Sequence, residues 1–190
     1  LPSLDAETQV LPVLGTKEAL YSFTQTIVDP TRERPTVLVP NPFYMVYEGA
    51  ALLCGAKPYF VNFDAAAGEY AWDAVPETVW RDVQLLIVCS PDNPTGAITS
   101  RQRWRWLFEQ SDRYGFVILA DECYSEIYFD EANPPVGALQ VAAEMGRGDF
   151  RRLIAMGSLS KRSNAPGLRS GFVAGDAALM AAFLKLRSFN

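Results

Sequence analysis

Lys161 lies in the stretch GSLSKRSNAPGLRSGF, from Gly157 to Phe172, among groups suited to binding an anion. Ser158 and Ser160 flank Leu159, and Arg169 follows a glycine-containing turn. A lysine becomes a nucleophile when its amine is neutral, a state that burial or a neighbouring cation favours. Arg162 and Arg169 are close enough in sequence to contribute. An isolated lysine is ordinarily a solvated surface group. Small hydroxyls beside a guanidinium fork, however, make a cradle for phosphate. A lysine next to such a cradle points to a phosphorylated carbonyl cofactor held as a Schiff base.

Other residues offer complementary chemistry. Asp121 closes an apolar run, where a carboxylate could hold a protonated pyridine nitrogen and make the ring a better electron sink; the alternative is a strand-end cap. Tyr124 could donate a phenol hydrogen bond to a ring oxygen, or simply pack. Asn93, in SPDNPTG, could donate an amide to the same oxygen, or serve only an Asn-Pro turn between Pro91 and Pro94. In LGTKEAL the amides of a helix start favour an anion, with Thr16 adding a hydroxyl; Thr16 as N-cap with Glu18 in the first turn is the alternative. Tyr44, in PNPFYMVYEG, could stack on a flat ring or belong to the core.

These residues need a frame that brings them together. Strands are expected over Thr36–Val39, Pro58–Phe63, Gln84–Cys89, Phe116–Ala120, Arg152–Gly157 and Gly171–Gly175. Helices are expected over Lys17–Val28, Met45–Cys54, Arg101–Tyr114, Val136–Met145 and Asp176–Arg187. QLLIVC and FVILA are nearly continuous apolar runs, which implies burial on both faces. The alternation implies an α/β domain in three αβα layers, with a mostly parallel central sheet and helices on both faces. Ligands of such sheets bind beyond the carboxyl ends of the strands, where SPDNPTG, DECYSEIYFDE, SLSK and PNPFY all fall. DPTRERP and DEANPP read as surface loops.

Composition narrows the chemistry. The chain has 190 residues, no histidine and a formal net charge of −5. Ser-His-Asp and Cys-His catalysis are excluded, a zinc enzyme is disfavoured and no metal site is expected. No basic block supports nucleic-acid binding, and no apolar run approaches the length of a membrane span. Cys54, Cys89 and Cys123 read as buried thiols of a reducing, cytoplasmic compartment rather than a disulfide frame.

SPDNPTG, ADECYSEI and SLSKRSNAPGLRSGF, in that order, resemble the fold-type I pyridoxal-phosphate enzymes, and specifically the class I and II aminotransferases. The resemblance covers nearly all of the chain. It implies that Lys161 forms the Schiff base with pyridoxal 5′-phosphate and carries the proton between the substrate α-carbon and the cofactor. It implies Asp121 on the pyridine nitrogen, Tyr124 and Asn93 on the ring oxygen, and the Tyr44 ring over the pyridine. Thr16, Lys17, Ser158, Ser160 and Arg169 would surround the phosphate. NPFYMVYEGAALLCGAKPYF and SLSKRSNAPGLRSGFVAGD look most like the proteobacterial succinyldiaminopimelate aminotransferases of lysine biosynthesis, which exchange an amino group between N-succinyl-diaminopimelate and 2-oxoglutarate.

Family members are about twice this long. Residues 1–190 are therefore expected to be the cofactor-binding large domain, without an N-terminal segment and the C-terminal small domain that carries the arginine for the substrate α-carboxylate. A homodimer completing the site is also expected. Cofactor residues are shared by many specificities, so another aminotransferase, a carbon–sulfur lyase, or the non-catalytic sensor domain of a transcription regulator would carry the same motifs.

Overall fold

The computed structural model describes residues 4–189. Eight strands form one sheet: β1 (Val10–Val13), β2 (Thr36–Asn41), β3 (Lys57–Asp64), β4 (Glu69–Tyr70), β5 (Val83–Cys89), β6 (Val117–Asp121), β7 (Leu153–Ser158) and β8 (Gly171–Gly175). Seven α-helices accompany them: α1 (Thr16–Ile27), α2 (Val46–Leu53), α3 (Glu77–Trp80), α4 (Arg101–Tyr114), α5 (Ala138–Glu144), α6 (Leu159–Arg162) and α7 (Ala177–Arg187). The sheet order is β1-β8-β7-β6-β5-β2-β3-β4. The five strands from β7 to β3 are mutually parallel, while β8, β1 and β4 join antiparallel at the two sides.

The buried strands divide their side chains between two cores by simple alternation. In β6, Val117 and Leu119 join the core under α1, α2 and α7, with Phe23, Tyr47 and Phe183. Ile118 and Ala120 join the core under α4 and α5, with Trp104, Phe108 and Val141. β5 and β6 are buried along their whole length, as their unbroken apolar runs require. The helices thus lie on both faces of a mostly parallel sheet.

Two strands escape the sequence pattern. β1 contains Pro12, which is tolerated because β1 pairs with β8 alone and forms the edge of the sheet. β4 is only two residues long, too short for any periodicity. Among the described residues no helix is long and apolar enough to cross a membrane, and no group of three or more His, Cys, Asp or Glu is placed to hold a metal. The three cysteines are free thiols; Cys89 and Cys123 are buried, but Cys54, at the end of α2, is only half-buried.

Candidate active site

β2 leads through α2 to β3 in one direction, while β5 leads through α4 to β6 in the other. Loops that diverge from neighbouring strands leave a crevice at their carboxyl ends. A cleft of about 460 Å³ opens there, lined by Thr16, Lys17, Tyr44, Tyr47, Asn93, Asp121, Cys123, Tyr124, Ser160, Lys161, Pro166 and Arg169. Nine of the ten residues singled out from sequence are in this wall. Ser158 is the exception. Its side chain is buried, and its hydroxyl caps α6 by accepting from the Ser160 amide at 3.0 Å. It lies 3.0 Å from the Ser160 hydroxyl, so it sits behind the lining and braces it.

The floor is Asp121, the last residue of β6, only 6% exposed. Strand alternation sends its side chain to the α1–α2 side of the sheet, the side of Val117 and Leu119. There the Tyr47 hydroxyl donates to Asp121 Oδ2 at 2.8 Å, and the Cys123 amide donates to Oδ1 at 3.2 Å. The Tyr47 phenol is pushed far up by burial, reinforced by the Asp121 carboxylate, so it remains a donor. Burial, followed by the Asp121 charge, also raises the Cys89 and Cys123 thiols, which leaves them protonated and unreactive.

Lys161 is exposed, on α6. Its Nζ stands 6.0 Å from the centroid of the Tyr124 ring. Burial, then Cys89, raises the Tyr124 phenol, so at neutral pH it is a neutral donor. Tyr44 meets Tyr47 edge-to-face at 5.7 Å, which fixes its ring at the wall.

Asn93 is held by the residue before it. Asp92 is buried and accepts at Oδ2 from the Tyr70 hydroxyl at 2.7 Å and from the Thr95 hydroxyl at 2.6 Å. The β4 edge therefore braces the loop that carries Asn93.

At the other end of the cleft, α1 starts with Gly15 at N-cap and no side-chain cap, in contrast to α4, capped by Ser100, and α7, capped by Asp176. Thr16 is thus the first helical residue rather than the cap, and its hydroxyl lies 3.0 Å from Cys123 Sγ. Gly15 has φ +117, and a Cβ there would collide with the Arg169 guanidinium. Arg169 also has a left-handed backbone, and Nη1 donates to the Pro166 carbonyl at 2.9 Å. Uncapped helix amides beside a closely approaching guanidinium and the Ser160 hydroxyl suit a phosphate. A pyridoxal phosphate fits this donor set: anion receptors at one end, a carboxylate on the floor, and a lysine in the wall.

Tyr47, Cys123 and Pro166 also line the cleft and were not singled out from sequence. Tyr47 carried no spacing signal, because Tyr44 lies before α2, outside the helix. Cys123 lies between two singled-out residues, but its type suggested only packing.

The family described as aminotransferase class I and II matches residues 2–190. The LL-diaminopimelate aminotransferase of Desulforudis audaxviator (strain MP104C) is 34% identical over 187 residues, which are 97% of this chain and 45% of that protein. The same-named protein of Aquifex aeolicus (strain VF5) is 32% identical over 186 residues, 97% of this chain and 46% of that protein. An aminotransferase structure from Neisseria meningitidis Z2491 is 50% identical with a TM-score of 0.94, over 98% of this chain and 47% of that one. A probable N-succinyldiaminopimelate aminotransferase from Thermus thermophilus has a TM-score of 0.89 at 24% identity, over 98% of this chain and 48% of that one, a likeness in fold alone. The chain spans slightly less than half the length of the curated relatives it matches.

Proposed function

The chain belongs to the class I and II aminotransferase family, whose cofactor is pyridoxal phosphate, and from that premise we propose that it is the cofactor-binding large domain of a transaminase. The observation that carries this reading is the convergence of Lys161, Asp121, Tyr124, Asn93 and the Thr16–Arg169 cradle on one cleft. Bound pyridoxal phosphate supplies an electron sink that stabilises negative charge at the substrate α-carbon.

The chain's own residues have separable tasks. The amides opening α1, with Lys17, Ser160 and the Arg169 guanidinium, bind the phosphate and orient the ring. Tyr44 would cover a face of the ring, Asp121 would hold a proton on the pyridine nitrogen, Tyr124 and Asn93 would donate to the ring oxygen, and Lys161 would hold the cofactor through its aldehyde. The Lys161 amine would also be the group that carries the proton at the substrate α-carbon.

We assign the amino donor to the diaminopimelate class, with 2-oxoglutarate as acceptor. The LL-diaminopimelate aminotransferase relatives support the class, and the resemblance of the Asn41–Phe60 and Ser158–Asp176 stretches favours the N-succinylated form. The substrate-carboxylate arginine is assigned to a small domain outside this chain, and a homodimer completes the site.

The test combines spectroscopy with an assay. Wild type plus pyridoxal phosphate is expected to develop a visible absorbance band that borohydride abolishes. The protein together with its small domain is then assayed with 2-oxoglutarate and either N-succinyl-LL-diaminopimelate or LL-diaminopimelate. No visible band would refute the cofactor reading. Turnover of cystathionine to a keto acid, with neither diaminopimelate used, would replace the transaminase assignment by a carbon–sulfur lyase.

A further inference from the structure

Tyr47 is fully buried, at 0% exposure, in the first turn of α2. A buried phenol needs an acceptor, and a backbone carbonyl would satisfy it. Instead its hydroxyl reaches across to another element and donates to Asp121 Oδ2 at 2.8 Å. Asp121 Oδ1 is taken at 3.2 Å by the Cys123 amide. Each carboxylate oxygen thus has one donor, and the donors come from different elements, α2 and the segment after β6. Two such anchors fix both the rotation of the carboxylate and its tilt. Hydrogen bonds to an ionised acceptor are among the stronger ones, and a buried carboxylate without donors is costly.

We propose that Tyr47 is a positioning residue for the cofactor ring: its phenol holds the Asp121 carboxylate in the orientation that receives the pyridine N–H. The inference rests on the cofactor reading above and goes beyond it, because it assigns the recognition of the ring nitrogen to a pair of residues on two elements rather than to Asp121 alone. A phenol that only filled space would support both the ring-nitrogen contact and every other contact equally. A phenol acting through Asp121 affects only ligands with a nitrogen to recognise.

The experiment exploits that difference. Pyridoxal 5′-phosphate and its 1-deaza analogue, which carries C–H in place of the ring nitrogen, are titrated into wild type, Tyr47→Phe, Asp121→Ala and the double variant, with Kd read from absorbance. Tyr47→Phe keeps the packed ring, and a melting curve near that of wild type checks its fold. The variant is expected to weaken pyridoxal phosphate about tenfold and the deaza analogue about twofold or less. In the Asp121→Ala background the second substitution is expected to change neither Kd by more than about twofold. Equal weakening of both ligands, no weakening of either, or an undiminished effect without Asp121 would each overturn the proposal. A wild type that binds neither ligand fails differently: it overturns the cofactor reading itself, and this inference with it.

Discussion

At the cleft, Lys17, Lys161 and Arg169 line the wall and make no ion pair among the described residues. On the face covered by α4 and α5 the arginines are matched. Arg103 pairs with Glu69 at 2.7 Å and Asp73 at 2.9 Å, Arg152 pairs with Asp112 at 2.9 Å, and Arg147 shares the same aspartate. Beneath them lies an aromatic core in which Trp104 stacks on Phe108 and Trp80 on Phe116. The first region keeps its cations and its helix amides free for a ligand's charge; the second neutralises its charges internally and invests in apolar burial. The difference separates the part of the molecule that binds from the part that holds the fold, and it predicts that substitutions in the two regions fail in different assays.

The largest expected effect is at Lys161. Lys161→Ala should reduce transamination by at least about 10³-fold, the scale of a lost proton carrier, and abolish the visible band with pyridoxal phosphate. Its melting temperature should stay near that of wild type, because the side chain is exposed. Collapse of the fold in this variant would erase the division between the two regions.

Trp104→Ala is the mirror image. Trp104 is fully buried, and removing a large aromatic from a core costs about 3–5 kcal/mol. Denaturant unfolding should report that loss, while pyridoxal phosphate affinity of the folded fraction stays within about twofold, as expected for a site it does not touch.

Gly15→Ala should be smaller and should appear in both assays. A Cβ there meets the Arg169 guanidinium, and φ +117 strains any L side chain. A cost of about 1–2 kcal/mol in stability is expected, together with weaker binding of pyridoxal phosphate. Inorganic phosphate should compete less well in the variant. Unchanged phosphate competition would detach Arg169 from the anion cradle.

The smallest effect concerns pH. Burial pushes Glu122 from 4.5 up to about 7, with the neighbouring Asp121 charge adding to it, although the Ala138 amide donates to Oε1 at 2.6 Å and pulls the other way. The folded state therefore holds a proton that the unfolded chain releases near 4.5. Stability associated with this group is complete below that value and is lost as the pH rises through about 7. Glu122→Gln keeps the acceptor without the charge, so it should gain melting temperature over wild type at about pH 8 and match it near about pH 4. A gain at the acid end and none at the alkaline end would reverse the sign and refute the burial argument.

Much of this was legible from the chain, and the gaps have physical causes. Four of the five parallel strands, β2, β5, β6 and β7, stood out because strands buried on both faces are nearly continuous in apolar residues. β1 was hidden by Pro12, a residue disfavoured within strands and accommodated here at the edge of the sheet. Ser158 was chosen for the cleft by its spacing from Ser160, yet β7 carries it inward and α6 begins immediately after it, so its hydroxyl is used as a cap. Thr16 could have been the cap of α1; Gly15 takes that place because its backbone adopts φ +117 under the Arg169 side chain.

The amino-acid sequence by itself determined which chemistry is available: one lysine beside hydroxyls and an arginine, a carboxylate ending an apolar run, no histidine, and a family membership that those motifs already carried. It also determined the layers, since periodicity and strand composition depend only on near neighbours along the chain. Only the tertiary structure decided which groups meet. The Tyr47–Asp121 hydrogen bond and the approach of Arg169 to Gly15 join residues far apart in sequence. Such contacts follow from sheet order, from which face each strand residue takes, and from how closely α1 and α2 pack against the sheet. Local patterns do not contain that information, because it exists only once distant elements share one core.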